Sequence, residues 1–120
     1  MDMNVKYKKY IDYIVNDIEL PYLKYLGQYG LKQDEMEYVL SKVFNEPVSI
    51  KGDYVYVYDT NGNVIYYENS YGYWVKREYN SNCNVIYYED GNGYWYKREY
   101  DSNGKVIYHE GFDGVIIDDR

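Results

Sequence analysis

The sequence predicts an α+β fold, an N-terminal three-helix segment followed by an antiparallel seven-strand β-meander of tandem hairpin repeats. Three observations predict it. Apolar residues recur at three- and four-residue steps as far as the stop at Asn45 and Pro47, which is the period of a helix face. From about Lys51 onward, β-branched and aromatic residues alternate with period two between regular turn signals. Within that region one line is written three times. Tyr58-Asp-Thr-Asn-Gly-Asn-Val-Ile-Tyr-Tyr-Glu68 returns as Tyr79-Asn-Ser-Asn-Cys-Asn-Val-Ile-Tyr-Tyr-Glu89 and as Tyr100-Asp-Ser-Asn-Gly-Lys-Val-Ile-Tyr-His-Glu110. Val64, Val85 and Val106 set the period at 21 residues. The change of pattern divides one domain into a helical head, residues 1–50, packing on a repeat sheet, residues 51–120.

The first helix is expected from Met3 to Glu19, with Val5, Tyr7, Tyr10, Ile11, Ile14, Val15 and Ile18 as its apolar stripe. Lys6, Lys8 and Lys9 stand near its positive end and Asp17 and Glu19 near its negative end. This opposes the helix dipole, so packing must hold the helix. Pro21 suits the first turn of a short second helix carrying Tyr22, Leu23, Tyr25 and Leu26, and Gly27 and Gly30 end it. A third helix reads from about Lys32 to Phe44. Asp34, Glu35 and Glu37 favour its N-terminal half, and Met36, Val39, Leu40, Val43 and Phe44 form its buried face. Asn45 accepts a left-handed cap and Pro47 prevents continuation. That helix lacks the Arg, Lys, Asn and Gln face by which a helix-turn-helix reads bases.

Asp59 and Asp101 bond their own following backbone, and Gly62 and Gly104 supply positive φ, as a type I turn with a glycine bulge requires. Cys83 replaces that glycine in the middle copy and is forced toward a left-handed conformation. A second turn class is Asn69–Gly72, Asp90–Gly93 and Gly111–Gly114. The two classes leave seven strands, near 53–58, 63–68, 73–79, 84–89, 94–100, 105–110 and 114–118, and short connections make them antiparallel. Alternation puts Tyr73, Val75, Arg77 and Tyr79 on one face and Trp74, Lys76 and Glu78 on the other. Either face is compatible with burial, since a one-residue slip exchanges them.

The Tyr-Asp-x-x-Gly-x-Val/Ile-x-Tyr line at this step resembles the YD (RHS-type) repeats. It covers about half the chain. Tyr58-Asp59 with Gly62, and Tyr100-Asp101 with Gly104, match that pattern, and Asn80 and Cys83 depart from it. The resemblance implies β-hairpins in series. Long arrays of this family enclose toxins, and three copies are too few to do so. Tyr-rich variants of the line are also similar to small bacteriophage and mobile-element proteins.

No reaction chemistry is legible. His109 is the single histidine and replaces Tyr67 and Tyr88 of the sister copies. The single Cys83 rules out an internal disulfide and fits a reducing compartment. No nucleophile–histidine–acid set, metal cluster or phosphate-binding glycine loop is present in the pattern. Asp59 to Asn63 starts like a calcium loop but lacks its glycine and its closing glutamate. No enzyme, no cofactor and no metal is therefore expected. A net charge of −7 turns the chain away from nucleic acid and anionic membranes and toward a larger basic protein.

The functional expectation follows from charge and tyrosine together. Tyrosine, 21 of 120 residues, gives a sheet surface that is apolar in its body and polar at its tip. Carboxylates along such strands stand in for phosphates. The expected function is a non-enzymatic protein-binding inhibitor, an anti-CRISPR-like anti-defence protein of a phage or mobile element. It would act in the host cytoplasm and occlude a basic nucleic-acid-binding site. Candidate partner-binding residues are Tyr73, Trp74, Tyr94, Trp95, Glu68, Glu89, Glu110, Asp118 and Asp119. The alternatives are a carbohydrate- or ligand-binding module using the Tyr/Trp face, and a structural protein that self-assembles through its sheet edges.

Overall fold

Helices occupy the first third of the chain, as their periodicity requires. The computed structural model describes residues 3–18 and 21–120. Helix α1 spans Met3–Asp17; its expected end at Glu19 lies outside the described residues. Tyr7 and Ile14, two turns apart, are its buried pair, and Tyr10 and Ile11 pack beside them. Val5 and Val15 belong to the expected stripe but are exposed, so the buried face is narrower than the pattern suggests. Helix α2 spans Leu23–Gly27, so Pro21 precedes the helix rather than opening its first turn. Helix α3 spans Gln33–Phe44 and ends at Asn45 in the left-handed region. Lys32 caps α3 without a side-chain acceptor, and its backbone N–H donates to Glu35 Oε1 at 2.9 Å.

Eight strands follow in an antiparallel meander, β1 Val48–Lys51, β2 Tyr54–Tyr58, β3 Val64–Asn69, β4 Trp74–Tyr79, β5 Val85–Asp90, β6 Trp95–Tyr100, β7 Val106–Gly111 and β8 Gly114–Asp118. The additional strand is β1. It precedes the repeat, holds only four residues, and turns into β2 through Gly52 at φ 58°.

The chain divides into two compact units, Met1–Trp74 and Val75–Arg120. In the first unit the head and the first strands share one core. Leu26, Val39, Leu40, Ile50, Val55, Val57 and Tyr66 are buried together with Tyr7 and Ile14. Register explains the face: Ile50 pairs with Val55, Val48 and Tyr66 with Val57, and Glu68 with Val55. The helices cover that side, and Tyr54, Tyr56 and Tyr67 lie on the other. Helix α3 also closes the edge of β1. Ile50 N–H donates to Glu37 Oε1 at 2.9 Å, and Gln33 Nε2 donates to Ile50 O. Both unpaired groups of that residue are thereby satisfied, which blunts an edge open to strand addition.

Five of the six expected turns form one class, and Gly111–Gly114 stands apart as a two-residue hairpin in which Gly111 pairs with Gly114. Asp59, Asn69, Asn80, Asp90 and Asp101 each accept, on one side-chain oxygen, the N–H groups two and four residues on, at 2.9–3.2 Å. The fourth residue of each turn returns its N–H to the first carbonyl and has positive φ. Cys83 is that residue in the middle copy and stands at φ 63°. Each copy also carries the same bulge, which leaves Ile65, Ile86 and Ile107 as the extra residue in its strand.

Candidate functional site

In the second unit the register sorts the side chains into two unlike faces. Directly opposed residues share a face. Lys76 opposes Glu89 and Glu78 opposes Tyr87; Glu89 opposes Trp95 and Tyr87 opposes Lys97. Lys97 then opposes Glu110 and Glu99 opposes Tyr108, and Tyr108 opposes Asp118. This face interleaves Glu78, Glu89, Glu99 and Glu110 with Tyr87, Trp95 and Tyr108. An open groove of about 530 Å³ lies in it, lined by the carboxylates Glu78 and Glu99, the cations Lys97 and Arg98, and Ile86, Tyr87, Tyr100 and Tyr108.

Its electrostatics follow from these neighbours. Tyr108 donates its hydroxyl to Glu110 at 2.5 Å, and that bond chiefly raises the Tyr108 pKa above the phenol range. Burial, with the Glu89 and Glu78 charges, raises that of Tyr87. Arg120 places its guanidinium 3.9 Å from the Tyr108 ring centroid and pairs with Glu99 and with Asp118, each at 3.1 Å. The Lys97 ammonium leans over Trp95, 5.8 Å from the ring.

The opposite face of this unit carries an arginine–tyrosine ladder. Arg77 lies 5.8 Å from the Tyr88 ring. Tyr88 stacks on Tyr96 at 5.1 Å and 3°, and Arg98 covers Tyr96 at 4.4 Å. Tyr96 in turn stacks on the imidazole of His109 at 5.3 Å. Asp90 is buried there and accepts the Tyr88 hydroxyl at 3.1 Å.

The expected site residues do not come together as one patch. Glu68 is 0 % exposed, and its two oxygens accept Tyr22 N–H and Leu23 N–H at 3.1 Å each. It is therefore no partner-binding residue: it holds the start of α2. The reason stands across the strand pair. Val55 and Val57 occupy the positions where the later copies have Lys76 and Glu78, then Lys97 and Glu99, so only the first copy is apolar enough to bury. Trp74 packs against the same core and Tyr73 stands edge-on to Tyr67; neither shares the groove. Tyr94 is exposed on the ladder side, against Tyr88, Tyr96 and Phe112. Trp95, Glu89, Glu110 and Asp118 do share the carboxylate face. Asp119 is exposed and ties its N–H to Ile107 O at 2.6 Å. The pattern reading missed Glu78, Tyr87, Glu99, Tyr108 and Arg120. The signal was available as alternation: Glu78 and Glu99 lie two residues after Lys76 and Lys97, on the same face as Trp74 and Trp95.

Among the described residues no group of histidine, cysteine or carboxylate side chains is arranged to hold a metal. No helix among them is long and apolar enough to cross a membrane. No family model matches the chain, and no curated protein matches it either.

Proposed function

We propose that this protein is a non-enzymatic inhibitor that binds a larger basic protein and occludes its nucleic-acid-binding site. In its concrete form it is an anti-CRISPR-like anti-defence protein of a phage or mobile element, acting in the host cytoplasm. One observation supports this reading above the others: Glu78, Glu89, Glu99 and Glu110, one from each of four neighbouring strands, share a face with Tyr87, Trp95 and Tyr108 and outnumber its Lys76 and Lys97. Glu78 with Glu89, and Glu99 with Glu110, stand diagonally across adjacent strands, roughly 7–8 Å apart, and offer a basic groove repeated negative charge. The rings add the rigid contact area that dominates interface energetics. The net charge of −7 steers a basic partner toward it. The likeness to YD-type repeats adds only the hairpin series to this reading.

The test is competition. Once a basic partner has been captured and identified, its affinity for its own nucleic acid is measured with and without this protein bound. Mutual exclusion supports the reading. A ternary complex with undiminished nucleic-acid affinity would overturn it.

A second reading has an observation of its own. In the first unit Tyr54, Tyr56, Tyr58, Tyr67 and Tyr73 form a connected plate with ring centroids 5.4–6.5 Å apart. Such a plate suits stacking on sugar rings. Retention on a polysaccharide column, lost in the Tyr54→Ala and Tyr67→Ala variants, supports a carbohydrate-binding module.

A further inference from the structure

We propose that the Tyr87–Glu78 pair is a binding site for an arginine side chain of the partner protein. This rests on the reading of the carboxylate face as a protein-binding surface and names the chemistry it takes. The argument comes from the repeat. Tyr87 with Glu78, and Tyr108 with Glu99, are the same cross-strand pair 21 residues apart. At the later pair the chain displays the ligand chemistry itself. The Arg120 guanidinium lies 3.9 Å from the Tyr108 centroid and pairs with Glu99 at 3.1 Å. A planar cation on the ring face with a carboxylate at its rim is the arrangement that favours arginine over lysine.

The earlier pair has the same two groups and lines the open groove. Tyr87 also feels the charges of both Glu78 and Glu89, which favours a cation over its ring. Lys97 is the nearest competing cation in the register. It lines the groove and opposes Glu110 as well as Tyr87, but its ammonium leans over the Trp95 ring, 5.8 Å from the centroid. Ile86 borders the groove and offers apolar surface to an arginine stem. An arginine reaching Tyr87 thus extends the row that Arg120 starts on Tyr108.

The experiment titrates fluorescein-labelled hexa-arginine and hexa-lysine peptides into the full chain at low salt. Expected are tighter binding of hexa-arginine and a loss of about five- to tenfold in E78Q and Y87L. Y87F, which keeps the ring, should bind like the wild type. D113N removes an exposed carboxylate from the β7–β8 turn and should change affinity less than about twofold. R120A releases the Tyr108–Glu99 pair and should strengthen binding. Equal losses in E78Q and D113N, or an unchanged R120A, would overturn the site, because binding would then reflect net charge alone. Unfolding midpoints of E78Q and R120A, both altered at exposed side chains, confirm that the variants fold. Loss of peptide binding in E78Q beside a partner that keeps its nucleic acid retains the site and removes the inhibitor reading. Full occlusion of the partner by E78Q retains that reading and removes the site.

Discussion

Arg98 donates its Nε–H to Nδ1 of His109 at 2.9 Å. A guanidinium always donates, so the imidazole must accept there, and it is held neutral between Arg98 and the Tyr96 ring. The side chain is shielded by neighbours laid across it at the sheet surface. That desolvation, then the Arg98 charge, lowers its pKa below 6.5. A histidine with a depressed folded pKa contributes stability above its unfolded pKa and loses it as pH falls through the folded value. The protein should therefore lose stability as pH falls from about 6.5, in a component that His109→Tyr, the sister residue, abolishes. Denaturant midpoints of both proteins between pH 7 and pH 5 check this, and parallel curves would refute it.

Glu68 has the opposite sign. Burial raises its pKa against the lowering effect of the Leu23 and Tyr22 N–H groups. A carboxyl with a raised folded pKa contributes most when protonated, so its contribution declines as pH rises through that value. Relative to Glu68→Gln, the wild type should become less stable as pH rises from 4 to 7. Glu68→Ala strips two buried N–H groups of their acceptor and should destabilise by about 2–4 kcal/mol. An Ala variant within about 0.5 kcal/mol of wild type would show that α2 is not held by this carboxylate.

Cys83→Gly should stabilise by about 1 kcal/mol. Cys83 stands at φ 63°, where Gly62 and Gly104 stand at φ 84°. The backbone already has the glycine conformation, so the substitution relieves strain without moving the turn. A lower chemical denaturation midpoint for the variant would contradict this.

What the pattern revealed and what it hid have physical reasons. Helices, turns and the repeat strands follow local rules, and the left-handed Cys83 was predictable because its sister turns define the geometry. Strand β1 escaped because Val48–Lys51 lies outside the repeat, and its edge is satisfied by Gln33 and Glu37 from a distant element. The glutamates misled most. Glu68, Glu89 and Glu110 look equivalent along the chain, yet burial is decided by what stands opposite. Val55 faces the first, Lys76 the second and Lys97 the third. Reading the repeat across strands rather than along them separates the one structural carboxylate from the two surface ones.

The central claim, that the carboxylate face engages a basic protein, is tested most directly by the association rate as a function of salt. The wild type is compared with a variant carrying Gln at Glu78, Glu89, Glu99 and Glu110. Exposed charges attract over about 8–10 Å at ordinary ionic strength, and salt removes that attraction. The wild-type rate should fall as salt rises, and the variant should associate about tenfold more slowly at low salt with a flattened dependence. A wild-type rate independent of salt, or a variant that associates as fast as wild type, would contradict the claim.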